Sequence, residues 1–312
     1  MTRSMPPKVI PLSRAKPSAL RETRAKPPAI TGTAAFERIV ARLQDLDYLP
    51  ITRSWIRTER GGHFVKLRHD AFRFPVPPAL QTEADAYAWN AGNPFVRAAL
   101  VQFERQNDIL GAGGVSEGFM HPAVETALLS SNAKKNRWRW EWVLVTKGTG
   151  TDQPEQLHIW EAHQGWIWHT LVNTGVLGST PDGTWPIYQR LPSTIMRGVF
   201  PVQISWSLYN TLVHKRVSQW TGSRYTQPAR GVIHGHPVRW LPYSDPGVLW
   251  VNYFDRGRGI HAYPRARYGF PQSAGCVEEP FRAAPVTYRL LHYGVPVTVS
   301  PDAFGFSEQK EG

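Results

Sequence analysis

The chain has 312 residues, of which 41% are hydrophobic, enough for folded cores and more typical of two domains than of one. Its formal net charge is +12, which is compatible with nucleic acid, a membrane surface or an anionic polymer as partner. The single cysteine excludes an internal disulfide framework. Because the sequence has no apolar run of about 18 residues, we expect no transmembrane helix. The basic N-terminus has no apolar core, so a signal peptide is not expected either.

The first 33 residues form a basic, proline-rich segment. They contain seven Lys or Arg, one Glu and six Pro, with a near-repeat at residues 14–17 and 24–27. This composition cannot build a core and predicts a disordered tail. It could act as an electrostatic tether or simply as a solvated leader.

Three stretches of the next hundred residues have helical periodicity. Apolar side chains recur at spacings of three and four over 34–49 and again over 94–107. Pro122 suits the first position of a third helix, which follows a glycine-rich loop. Residues 51–93 break the pattern and are interpreted as an irregular insertion. Residues 131–141 are polar and basic, which is typical of a linker.

The order of these helices resembles the peptidoglycan-binding-like domain found beside many cell-wall enzymes. The matching residues are Leu43, Gln44, Leu46, Tyr48, Ala99, Val101, Gln102, Phe103, Asn107, Leu110, Gly118, Val124, Thr126 and Leu128. The resemblance implies that residues 34–130 form a small three-helix domain that contacts glycan. A plain helical packing domain is the alternative.

From Trp140 the hydrophobic period changes to two, which predicts a β-rich domain over 142–302. Two strands are expected around a turn at 163–165, and another strand after the Thr180–Gly183 turn. Further strands are expected over 199–206, 248–254 and 288–300. Residues 303–312 are interpreted as a C-terminal tail.

The only cysteine, Cys276, follows a histidine, His261, at a distance of fifteen residues. A thiolate is a strong nucleophile, and an imidazole can take the thiol proton and later return it. The pair is therefore a candidate nucleophile and general base. The competing interpretation is a small buried thiol with an unrelated structural histidine.

The surrounding motif resembles the catalytic domain of the L,D-transpeptidases (the YkuD-like family). The matching stretches are Gly259–His261, Ser273–Val277, Thr180–Thr184 with Pro186 and Tyr188, and Val251–Phe254. The resemblance implies an α+β multidomain protein in which a three-helix domain precedes a β-rich, sandwich-like catalytic domain. It also implies a thioester with a peptidoglycan stem peptide, resolved by an amine of a neighbouring stem.

Three residues directly before the cysteine are expected to shape the active loop. Gly275 permits a tight turn that lets backbone amides face an oxyanion, and Ser273 can hydrogen-bond within the loop. Ala274 stands where the family has a histidine, and Glu278 where Asn or Arg is common. The family histidine at position 274 is not the base, so the Cys–His chemistry can survive its loss. We expect these departures to alter the choice of acceptor.

Five further residues are candidates for substrate binding because they flank the motif: Tyr253, His234, Tyr263, Arg265 and Arg267. The arginines suit substrate carboxylates, and the tyrosines suit cleft walls. No metal site is expected, since His234 and His236 lack further ligands at a usual spacing. No cofactor is expected.

The sequence therefore predicts a cysteine-dependent L,D-transpeptidase that acts on peptidoglycan outside the cytoplasm, as a monomer. Three alternatives stay open. Water as acceptor would make the chain an L,D-carboxypeptidase. Loss of activity would leave a silent peptidoglycan-binding protein. The charge alone would also suit a nucleic-acid-binding protein, although no nucleic-acid module is visible.

Overall fold

A computed structural model describes residues 33–60, 62–109, 118–148, 153–220 and 222–301. Residues 1–32 of the predicted tail 1–33 lie outside these ranges, as does the predicted C-terminal tail 303–312, whereas Thr33 is the first residue of a helix. The helices are α1 Thr33–Asp45, α2 Pro78–Ala86, α3 Pro94–Gln106, α4 Pro122–Leu129, α5 Trp206–Thr211 and α6 Ala284–Leu290. The strands are β1 Ile51–Arg60, β2 His63–Phe72, β3 Glu141–Thr146, β4 Gln156–Glu161, β5 Gly165–Leu171, β6 Gly183–Pro186, β7 Gln189–Gln203, β8 Arg216–Ser218, β9 Thr226–Pro228, β10 Arg230–Ile233, β11 His236–Asp255, β12 Arg258–Ala262, β13 Val277–Glu279 and β14 Pro296–Ser300.

Two five-stranded sheets pack face to face. The first has the order β5-β4-β3-β14-β6, and the second has β10-β11-β12-β13 with β7 also paired to β11. Apolar side chains of both sheets fill the space between them, among them Val143, Ile159, Val297, Ile260 and Val277. The alternation of apolar residues along each strand directs these side chains inward. The expected β-rich, sandwich-like architecture is therefore present.

The first sheet is covered on its other face as well. All six residues of β3 are buried, so its alternating side chains meet apolar surroundings on both sides. Trp142 and Leu144 share one buried cluster with Ile39 of α1 and Phe103 of α3. The N-terminal helices thus bury their apolar stripes against the sheet. Most members of this cluster lie in the helical region, and Trp140, Trp142, Leu144, Trp160 and Ala162 extend it onto the sheet.

The segment 131–141, which its composition predicts to be a linker, is packed between the helices and the sheet. The backbone N–H of Asn136 donates to the carbonyl of Leu46 at 2.8 Å. The Trp138 ring lies 4.6 Å from the His292 ring, centroid to centroid. Trp140 is buried in the same cluster as the helices. Apolar side chains in a short polar stretch therefore join the two parts of the chain.

Residues 51–93 differ from the expected irregular insertion. Strands β1 and β2 pair as an antiparallel hairpin, and α2 follows. Gly62, with φ at +78°, lies in the tight connection between the two strands. The β-branched and aromatic residues of 51–72 favour strands even though Gly and Arg interrupt their pattern. α2 then contacts the first sheet, because Glu83 accepts a 2.7 Å hydrogen bond from the Thr184 hydroxyl.

The remaining elements confirm most of the sequence predictions. α3 begins where expected, and the Asn93 side chain caps it by accepting from the N–H groups of Phe95 and Val96. β4 and β5 flank the predicted turn at 163–165. Two strand predictions are partly wrong. Residues 288–290 belong to α6, and β7 ends at Gln203, where Ser205 caps the short helix α5. None of the described helices is long and apolar enough to cross a bilayer.

Replacing Trp142 with alanine should destabilise the protein by about 3–5 kcal/mol, because a large buried aromatic would leave a cavity between helices and sheet. Trp142 is fully buried, and its indole N–H donates to the Thr298 hydroxyl at 2.8 Å. The free energy of unfolding in denaturant measures the effect. Trp206, which is 54% exposed, supplies a matched control at which alanine should cost less than about 0.5 kcal/mol. Equal losses at both positions would contradict this packing.

Candidate active site

His261 and Cys276 are brought together by two adjacent parallel strands. In the register of β12 and β13, Ile260 is paired with Val277 and His261 with Glu278. Side chains alternate along a strand, so His261 and Glu278 share one face of the sheet. Cys276, two residues before Glu278, continues that face. The fifteen-residue separation in sequence therefore becomes proximity on one surface.

This surface is one side of a pocket of about 250 Å³. Its lining residues are Met196, Phe200, Tyr243, Asp245, Val248, His261, Tyr263, Arg265, Ser273, Ala274, Cys276 and Glu278. Strands β7 and β11 supply the first five, and the His261–Glu278 segment supplies the others. One wall of the pocket is mainly apolar, whereas the other carries the thiol, the imidazole and an ion pair.

The imidazole of His261 is held in one tautomer. Its Nδ1 lies 2.9 Å from the carbonyl oxygen of Ala262, so Nδ1 carries the hydrogen and donates it. Nε2 is then the nitrogen that can accept a proton. Burial lowers the pKa of His261 to about 4, against the opposing effect of the Ala262 carbonyl. The ring is therefore neutral at physiological pH, as a general base requires.

The thiol of Cys276 is also neutral in this structure. Burial raises its pKa to about 11, and the nearby Glu278 carboxylate acts in the same direction. A hydrogen bond from the backbone of Gly259 and the charge of Arg258 oppose that shift. A thiol with so high a pKa is a poor nucleophile at pH 7 unless a base removes its proton during the reaction.

The turn before Cys276 is held by a network of short hydrogen bonds. The Ser273 hydroxyl donates to the carbonyl of Cys276 at 2.6 Å and accepts from the Gly275 N–H at 3.0 Å. The Gly275 carbonyl accepts from the Thr180 hydroxyl at 2.9 Å, and that hydroxyl accepts from the Gly175 N–H at 2.7 Å. The Thr180 turn and the cysteine turn thus orient each other.

Gly275 is required by both its torsion angle and its surroundings. Its φ is +141°, a value that residues with a side chain rarely adopt. A Cβ added there would lie 2.9 Å from Nε of Arg258 and 3.1 Å from the carbonyl oxygen of Ser179. Arg258 itself is fixed by Asp255, whose carboxylate lies 2.7 Å from the guanidinium. The backbone at Gly275 therefore lies closer to Arg258 and Ser179 than a residue with a side chain would allow.

Beside the thiol lies an ion pair between the partly exposed Arg265 and the buried Glu278. The guanidinium donates to both carboxylate oxygens, at 2.7 and 2.9 Å, and also to the carbonyl of Gln272 at 3.2 Å. Burial raises the pKa of Glu278, and the bonds from Arg265 oppose that shift. Tyr263 stands next to the pair and donates to Asp245 at 3.2 Å. Bidentate geometry of this kind fixes both side chains.

The structure distributes the proposed binding residues unevenly. Tyr263 and Arg265 line the pocket, whereas His234 lies on the turn between β10 and β11, with its Nδ1 3.1 Å from the carbonyl of Leu177. Arg267 is exposed outside the lining. Tyr253 packs in the cluster that contains Cys276, and burial raises its pKa to about 12.

Sequence reasoning missed the wall that β7 and β11 contribute. Met196 pairs with Asp245 across these strands, and Phe200 pairs with Leu241. The partners are about forty to fifty residues apart, and no local pattern indicates which residues will face the cysteine.

In the described ranges no three His, Cys, Asp or Glu side chains form a group that could hold a metal ion.

No protein-family model matches the chain, and no curated protein matches it. Several solved structures are similar. The L,D-transpeptidase from Mycobacterium smegmatis is 14% identical over 51% of this chain and 59% of its own, with a TM-score of 0.32. An L,D-transpeptidase from Stackebrandtia nassauensis is 16% identical over 68% and 80%, with a TM-score of 0.29. L,D-transpeptidase 3 from Mycobacterium tuberculosis is 16% identical over 51% and 61%, with a TM-score of 0.33.

The chain thus spans 59% of the first of these proteins. Similarities with TM-scores this low carry no functional argument. The features that bear on function are the Cys276 motif and the geometry of the pocket.

Proposed function

We propose that the chain is a cysteine acyltransferase of the L,D-transpeptidase type, which forms a thioester on Cys276. The observation that carries the proposal is that Cys276 and His261 share one pocket face, with Nδ1 of the histidine committed to a backbone carbonyl. The remaining nitrogen, Nε2, is then the base. A neutral thiol beside a neutral imidazole is the starting state for concerted deprotonation and attack.

In the acylation step the Cys276 sulfur forms a bond to an amide carbonyl carbon while its proton moves to Nε2 of His261. The tetrahedral intermediate then breaks its carbon–nitrogen bond, and the proton passes from Nε2 to the leaving amine. The Gly275 carbonyl accepts from Thr180. Because a peptide bond is trans and planar, the Cys276 N–H of the same unit points the opposite way and is a candidate oxyanion donor.

The resemblance of the motif suggests which amide is cleaved. In the L,D-transpeptidases the acyl donor is a peptidoglycan stem peptide, which releases its terminal D-alanine, and an amine of a second stem resolves the thioester. We carry this substrate class over to the present pocket. Peptidoglycan lies outside the cytoplasmic membrane, so the proposal includes an extracytoplasmic location. Glycan contact by the N-terminal helices stays a prediction.

A carbapenem tests the proposed acylation, because the ring opening of a β-lactam by a thiolate leaves the whole molecule attached. We expect the intact mass of the protein to increase by one carbapenem, with the label on the peptide that contains Cys276. Cys276→Ala should give no adduct, because alanine has no nucleophile. Cys276→Ala differs only inside the pocket, so thermal unfolding of the two proteins checks that both are folded.

Products from a purified tetrapeptide stem separate the remaining alternatives. A cross-linked dimer supports the transpeptidase, and release of D-alanine without cross-linking would identify a carboxypeptidase. A wild-type protein that shows neither a carbapenem adduct nor any product would overturn the proposal. Retention of insoluble peptidoglycan by that inactive protein would then identify a binding protein.

A further inference from the structure

The net charge of the chain is concentrated in two segments. Residues 197–242, named here the basic arm, contain six Lys or Arg and no Asp or Glu. The first 33 residues contribute another six positive charges, and the remaining residues hold 23 basic and 23 acidic side chains. The basic arm is therefore the main source of unbalanced charge within the folded sequence. It comprises the second half of β7, the elements α5 and β8–β10, and the first part of β11.

The basic arm contributes little to the interior of the protein. None of its residues belongs to the three clusters of buried apolar side chains among the described residues. Fifteen large apolar side chains are exposed in the described ranges, and seven of them lie in the basic arm. These seven are Val202, Trp206, Leu208, Val213, Tyr225, Val232 and Leu241. An exposed apolar set of this kind is typical of an interaction surface.

The charges of the basic arm are not neutralised by acidic side chains of the described residues. Within the residues that the structure describes, none of its six cationic side chains forms an ion pair. Arg216 donates to the hydroxyl and the carbonyl of Thr226, and Arg230 donates to the carbonyl of Tyr209, all within the basic arm. Lys215, Arg224 and Arg239 are exposed. The positive potential is therefore available to a partner.

Strand pairing brings charge and apolar surface onto one face. Arg239 is paired with Val202 on one side and with Arg230 on the other. Leu241, two residues along β11, points to the same face as Arg239. The same alternation leads along β11 to Tyr243 and Asp245, which line the pocket. Apolar and cationic side chains thus adjoin the pocket in a single surface.

We propose that the basic arm docks on an anionic phospholipid bilayer. Cationic side chains are attracted to acidic headgroups, and exposed Trp and Tyr side chains favour the membrane interface. The five aliphatic side chains distinguish a bilayer from a nucleic acid or a charged glycan, since only the lipid region removes them from water. The bound orientation holds the pocket close to the membrane surface. Docking of this kind is independent of the proposed acyl transfer.

Co-sedimentation of the full chain with vesicles tests the docking. The vesicles contain phosphatidylcholine alone or mixed with phosphatidylglycerol. We expect binding to the anionic vesicles only, decreasing as salt is added. The triple substitution Lys215→Gln, Arg224→Gln and Arg239→Gln should lower the partition coefficient by at least about tenfold. The matched control Arg137→Gln, Arg282→Gln and Arg289→Gln removes equal charge from exposed positions elsewhere and should leave most of the binding.

A second pair of variants tests insertion of apolar side chains. Leu208→Ala should weaken binding, whereas Leu129→Ala, at a similarly exposed position on α4, should not. Thermal unfolding checks that each variant is folded. Equal losses of vesicle binding in the two triple arginine and lysine variants would overturn the proposal. Binding would then depend on the total charge or on the basic N-terminal tail. Arm-dependent binding of a DNA duplex without arm-dependent binding of vesicles would overturn it in favour of a nucleic-acid partner.

Discussion

Replacing His261 with alanine should slow acylation of Cys276 by about a hundredfold to ten-thousandfold at neutral pH. With the pKa of Cys276 raised to about 11, the thiolate fraction at pH 7 is about 10⁻⁴ without a base. His261 overcomes this deficit by accepting the proton as the sulfur attacks. The rate of carbapenem adduct formation, followed by intact mass, measures the loss.

The pH dependence of the same reaction should identify the base. Burial lowers the pKa of His261 to about 4, so its neutral form persists as the pH falls and is lost only near that value. We therefore expect a nearly constant acylation rate from about pH 5 to pH 9 and a decline below pH 5. His261→Ala should behave differently, with a rate that increases about tenfold per pH unit, because only spontaneous thiolate reacts.

The exposed residue His236 supplies the matched control, because it lies outside the pocket lining. His236→Ala should acylate at the wild-type rate and with the wild-type pH profile. A His261→Ala protein that kept a flat profile would show that another group is the base. A wild-type profile that declined near pH 6.5 would show that the histidine is not desolvated as the structure has it.

Replacing Arg265 with alanine should affect both stability and reactivity. The substitution leaves the Glu278 carboxylate buried without its bidentate partner, which should cost about 2 kcal/mol of unfolding free energy, since the guanidinium is partly exposed. The unpaired negative charge beside Cys276 also raises the thiol pKa further, because Glu278 already acts in that direction. We expect a lower rate of carbapenem adduct formation and a lower midpoint of denaturant unfolding.

A second substitution in the same protein separates charge from packing. Adding Glu278→Gln to Arg265→Ala removes the unpaired charge and should restore most of the lost stability and acylation. Arg267→Ala removes an exposed arginine from the same loop and should change stability by less than about 0.5 kcal/mol. If the double variant were no better than Arg265→Ala, the effect would lie in the contacts of Arg265 with Tyr263 and Gln272.

Local signals predicted a large part of the secondary structure. Asn93 and Pro94 mark the start of α3 because an amide side chain caps free N–H groups and proline lacks one. Apolar alternation around the turn at 163–165 predicted β4 and β5. Each of these signals acts over a few residues. Where the local pattern was mixed, as over 51–72 and 288–290, the prediction was wrong.

Some residues of the pocket could be identified from the sequence, and others could not. The spacing of Cys276 and His261 and the small residues between 273 and 275 are visible in the sequence, and their chemistry follows from residue type. The sequence does not contain the direction of a side chain or the pairing of distant strands. His234, Arg265 and Arg267 were therefore predicted alike as substrate-binding residues, although of these three only Arg265 lines the pocket.

The sequence by itself determined the nucleophile candidate, its base candidate and the β-rich character of the chain around them. Tertiary structure alone decided that parallel pairing of β12 with β13 brings thiol and imidazole to one face. It also decided that β7 and β11 close the pocket and that the N-terminal helices share a core with the sheet. These outcomes depend on strand register and on burial between residues tens to more than a hundred positions apart, which no local pattern encodes.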